Sequence, residues 1–274
     1  MAGLRIDLAV MFGTVTICLA PPLSLADPAN WLPSGSSIDP GPTPDEWLTN
    51  NIPLKGKPLL GKLLFNSPSL LGEKAVRIGL SCNSCHPNGH VNTRFYMNGL
   101  SGAPGTVDVT HSFWESGTDD GSFNPIPIPS LRGVSHTAPY GTLKTLPTLD
   151  AFTRHVISKE FAGPSIQPSE LSALLTYMNL LESTRSQDMS EHDETTLSDH
   201  FSLLLEPLKN EDTESAQRVG RLIREELGRR AISTPAAHSK LSRMARDLKA
   251  IQNLILKKPS VALKATQDFI SNLD

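Results

Sequence analysis

Cysteine is scarce in this chain: three in 274 residues, at positions 18, 82 and 85. Aromatic side chains make up 5% and hydrophobic ones 38%, which is lean for a core built from side chains alone. A buried apolar group would supply the missing surface. No sustained apolar–polar alternation runs anywhere along the sequence, which leaves a mainly α fold. The formal net charge of −3 argues against a broad nucleic-acid-binding face. Beyond residue 26 no apolar run approaches the roughly 18–20 residues that a membrane span needs.

The one long apolar run stands at the start. "LAVMFGTVTICLA" (8–20) is uncharged and follows Arg5, and "PPLSLA" (21–26) ends with small residues at Ser24 and Ala26. This reads as a secretory signal over residues 1–26, cleaved after Ala26, and the mature chain is expected in the periplasm with no stable membrane span. Cys18 goes with the signal. Bulky Ile17 stands where a lipoprotein site wants a small residue.

Two cysteines then remain, in "GLSCNSCHPNGH" (79–90). A disulfide between Cys82 and Cys85 closes a very small loop and contributes little. Zinc asks for two more ligands at comparable spacing, and there is no second CxxC. A dithiol redox motif belongs near a βαβ pattern, which is not visible here. CxxCH is, however, what covalent haem attachment requires. Two thiols add to two vinyl groups, and the adjacent imidazole becomes an axial ligand. Export, the exclusive use of cysteine and the motif agree on one covalent haem c, held by Cys82, Cys85 and His86.

Organisation follows composition. Residues 27–55 open with a Pro/Gly/Ser linker. "PLLGKLLFNSPSLLG" (58–72) has helical spacing and stops at Gly72, and "PSELSALLTYMNLLES" (168–183) is amphipathic, with Leu171, Leu174, Leu175, Met178 and Leu181 on one face. A glycine-punctuated loop from His90 to about Pro129 is too long to be idle in a compact domain. From Arg185 onward the chain turns polar, and helices are expected around 196–208, 213–230, 238–256 and 260–272. The division is thus a haem domain over 56–184 and a helical C-terminal region over 185–274, either packed on that domain or serving as a docking arm.

Three blocks in order resemble the bacterial di-haem cytochrome c peroxidases and the methylamine dehydrogenase maturation protein. They are "GKLLFNSPSLLG" with the CxxCH that follows, "IPSLRGVSHTAPYGTLKTLPTLDAF" (128–152), and the helix at 168–183. The similarity covers roughly residues 56–184 and is closest to the second cytochrome c domain of that family. It implies a cytochrome c-like haem domain with long loops, to which the C-terminal helices are appended. It also implies that Arg132 faces a haem propionate. The chain departs from the family in having one CxxCH where the peroxidases have two, and "APYGTLK" (138–144) where they have "APYFHDG".

For the iron's sixth position the sequence offers His155, near where the relatives place a distal Met, although Val156 fits that spot equally well. His111 and Met97 lie on the long loop. His90 reads as a loop residue, Met178 as core, and Asp119 with Asp120 as a solvated turn rather than a calcium loop. The expected function is an exported c-type haem protein that carries single electrons to or from a redox partner protein, another cytochrome or a periplasmic dehydrogenase. The alternative is a haem peroxidase or oxidase acting with a partner cytochrome. A haem sensor is the third class, suggested only by the C-terminal region.

Overall fold

The computed structural model describes residues 43–49, 53–114, 117, 119–142, 145–184 and 195–273. The expected signal segment and most of the expected linker lie outside the described residues. Ten helices, numbered α1 to α10, order the described residues, with one two-stranded ribbon between them.

Leucine spacing builds α1 (Gly56–Phe65), but the helix does not run on to Gly72. Pro68 has no amide to donate back to residue 64, so the chain breaks at Asn66 and re-forms as a single 3₁₀ turn over Pro68–Leu71. After α2 (Glu73–Ile78) and α3 (Cys82–Cys85) comes the long loop. It is folded rather than open. Strand β1 (Thr106–Val107) pairs antiparallel with β2 (Ile126–Pro127). Trp114 is buried beneath it and donates from Nε1 to the Asp108 carbonyl at 2.7 Å.

The second half of the site scaffold is α4 (Leu149–His155), its continuation as a π-helical turn over Val156–Glu160, and α5 (Pro168–Asn179). Leu171, Leu174 and Met178 on the expected face of α5 are buried, and Leu175 is half-buried. The helix ends at Asn179 because the next carbonyls and amides pair elsewhere. The Leu180 carbonyl accepts from Thr49, and the Glu182 amide donates to Trp47. Helices α1 and α5 lie against one another with Leu59, Leu63, Leu64, Leu171, Leu174 and Tyr177 between them. Each such side chain contributes about 1.5–3 kcal/mol of apolar burial. Gly61 permits the approach, since a Cβ there would press into the Ala173 carbonyl.

The C-terminal helices are α6 (Leu197–Ser202), α7 (Leu205–Lys209), α8 (Thr213–Ser233), α9 (His238–Lys257) and α10 (Pro259–Ser271), within a few residues of the sequence expectation. They are packed on the first half, and all described residues form one compact unit. Helix α8 contacts α1. Arg218 clamps Glu170 at the first turn of α5 through Nε–Oε1 at 2.5 Å and Nη2–Oε2 at 2.7 Å. Ser67, at the break after α1, donates to the buried Glu225 of α8. Within α8, burial alone would raise the Glu226 carboxyl, but Arg229 and Arg230 overcome it and hold the group well below the usual range. Among the described residues no helix is long and apolar enough to cross a membrane.

Candidate functional site

The CxxCH segment is a single helical turn with its own caps. The Ser81 amide donates to Ser84 Oγ at 3.0 Å, and the His86 amide closes the turn on the Cys82 carbonyl at 2.8 Å. A turn three to four residues long places Cys82, Cys85 and His86 on adjoining faces. Beyond it the chain is tied to the 129–131 segment: the Leu131 amide donates to the Gly89 carbonyl at 2.9 Å. That pairing sets Pro129 beside His86.

All three side chains open onto one cavity of about 500 Å³. Phe65 and Leu71 reach it from the first helices, Leu174 and Met178 from α5, and Ile126 to Leu131 from the loop's end. Phe152, Thr153, Val156, Ile157 and Glu160 form its α4 wall, and Tyr140 also contributes. The surface is mostly apolar, as small-molecule sites usually are, and its size is within the roughly 300–1,000 Å³ they occupy.

Depth in the fold sets the protonation states. Burial pushes the Cys82 thiol up to about 12 and the Cys85 thiol higher still. Both are free thiols and half-buried, because the cavity is the side from which they are reached. Burial also takes His86 down to about 4, against the opposing effect of its hydrogen bond with the Pro129 carbonyl. The imidazole is therefore neutral at pH 7. Its Nδ1 lies 2.9 Å from that carbonyl, an acceptor, so Nδ1 carries the proton and Nε2 keeps its lone pair. A neutral imidazole oriented by a backbone carbonyl is the usual state of a metal-ligating histidine. Among the described residues no three His, Cys, Asp or Glu side chains converge as a metal-ion cage.

The other sequence candidates are placed differently. Arg132 is not in the cavity wall. Its guanidinium lies 3.2 Å over the Trp47 ring, donates to the Glu182 and Ser183 carbonyls at 3.2 and 2.5 Å, and sits 3.1 Å from His90 Nδ1. It staples the chain before α1 to the chain after α5. His155 also lies outside the lining; its Nε2 is 3.8 Å from Glu160 Oε1, and the neighbouring Val156 faces the cavity instead. Neither Met97 nor His111 is in the lining. His111 accepts from the Phe113 amide at 3.0 Å. Asp119 and Asp120 are spent on local turns, capping Gly121 and Ser122 at 2.8 and 2.9 Å.

Two lining residues carry chemistry that sequence reasoning missed or read as packing. Met178 brings a thioether to the wall. Glu160 brings a carboxyl whose burial raises it to about 7. It closes the π-helical turn, a form met mostly as single turns and frequently at functional sites. No sequence signal marks it, since a glutamate near a helix end is ordinarily solvated.

No protein-family model, curated protein or solved structure matches this chain.

Proposed function

We propose that this is an exported c-type haem protein whose cavity holds one haem, bound covalently through Cys82 and Cys85 with His86 as axial ligand, and that it transfers single electrons. One observation carries the reading. The three side chains of the CxxCH motif open together onto one apolar cavity of about 500 Å³ with the His86 lone pair preserved. Each thiol would add its S–H across a vinyl double bond, so nothing leaves and no oxidant is consumed. The group would supply reversible one-electron chemistry at its iron. The chain's part is to exclude water with Leu174, Ile157 and Phe65, and to fix the imidazole through Pro129. The likeness of residues 56–184 to the di-haem peroxidase family supports a cytochrome c-like domain.

A second reading, a haem peroxidase or oxidase, is favoured by Glu160. A neutral carboxylic acid in an apolar cavity is suited to general acid–base work near pH 7. On its own turn of the wall Glu160 is accompanied by Val156 and Ile157, while the Met178 thioether comes from α5. The two readings part over whether the iron keeps two protein ligands.

Intact-mass analysis of periplasmically expressed protein tests the common premise. The expected mass is that of the chain plus one haem, and the Cys82→Ala/Cys85→Ala variant should lose the increment. A parent protein without it refutes the proposal. Absorption spectra with and without carbon monoxide then separate the readings. A low-spin haem that binds the gas slowly supports electron transfer; a high-spin haem that binds it readily, with peroxide turnover, supports the enzyme.

A further inference from the structure

A second concavity, of about 490 Å³, lies between α8 and α9, and its lining is less apolar than that of the first. Arg218, Arg221 and Arg224 of α8 line it with Lys249 of α9, and Glu214 is the one carboxylate in its wall. In a chain of net charge −3 this is a local inversion of sign. The three arginines are spaced three residues apart, so successive guanidiniums leave one stripe of the helix about 4.5 Å apart along its axis. Like charges so spaced repel and cost the helix stability. Arg224 is half-buried, and burial first, then Arg221, lowers its affinity for its proton.

The floor is held in shape. Gln252 Nε2 donates to the Gln217 carbonyl at 3.2 Å, and Gln217 returns the bond to the Gln252 carbonyl. Gly220 leaves room for that pair, since a Cβ there would press into the Gln252 amide. Arg218 is engaged with Glu170. Arg221 and Lys249 make no hydrogen bond and no ion pair within 4 Å among the described residues, although Arg221 and Arg224 both act electrostatically on the buried Glu225 carboxyl.

We propose that this groove binds a small multivalent oxyanion, a phosphate ester or a tricarboxylate, between Arg221, Arg224 and Lys249. Guanidinium forks match the paired oxygens of both classes, and charge-assisted bonds of this kind are the strong ones. The volume suits a small molecule. The site is independent of the haem reading and stands or falls without it.

Calorimetric titration of the full chain with pyrophosphate, and separately with citrate, tests it. The expected result is saturable one-to-one binding of at least one probe. The stronger of the two names the class. Arg221→Ala/Lys249→Ala should weaken that binding by about tenfold or more, with an unchanged circular dichroism spectrum, while Lys264→Ala on α10 should leave it as in the parent. Failure of both probes to saturate overturns the proposal, as does equal affinity in the double variant. Retention of polyglutamate with neither small anion bound also overturns it, and reassigns the face to an acidic protein surface.

Discussion

Replacing Glu160 by Gln should stabilise the protein in a pH-dependent way. The folded-state carboxyl is raised by burial from its ordinary 4.5 to about 7, a difference of roughly 2.5 units. At about 1.4 kcal/mol per unit this amounts to about 3 kcal/mol. A folded pKa above the unfolded one means that the group's contribution is whole below about pH 4.5. It is lost as the pH rises through 7, where the folded chain must hold a carboxylate in an apolar wall. Glutamine has the same shape and never ionises. Parent and variant should therefore differ by a constant offset at pH 4.5, and by about 3 kcal/mol more in the variant's favour at pH 8. Glu225, also raised to about 7 by burial, and His86, lowered to about 4, act alike in both proteins and drop out of the difference. Urea unfolding followed by circular dichroism across this range gives the numbers. A difference that stays flat with pH would show that Glu160 ionises freely, and would remove the acid–base argument for the enzyme reading with it.

Gly61→Ala forces a methyl into the Ala173 carbonyl. It should cost about 2–3 kcal/mol as α1 and α5 separate, read as a lower denaturant midpoint; an unchanged midpoint would contradict the helix contact. A chain ending at Thr184 removes Arg218 from Glu170 and Glu225 from Ser67, and uncovers the face of α1 that α8 covers. It should lose cooperative unfolding. Cooperative unfolding with an unaltered midpoint would mean that the first half folds alone.

The sequence by itself determined whatever depends on neighbours along the chain. The CxxCH turn, with the serine that caps it, needs only its own residues, so its local geometry follows from the string. The same holds for the helices from 197 onward, whose ends follow caps such as Thr196 and Asp212 and whose existence follows apolar spacing. Tertiary structure decided which side chains share the cavity. His155 and Val156 are consecutive, and one step along a helix turns a side chain by about 100°. Of the two residues that the sequence offered for one spot, His155 thus points elsewhere while Val156 lines the wall. The π-helical turn then shifts the register again and carries Glu160 inward. Arg132 was expected at a ligand and is instead bound to Trp47 and to two carbonyls about fifty residues away. A guanidinium goes to the acceptors that the fold brings closest, and contacts between such distant segments exist only once the chain has closed on itself.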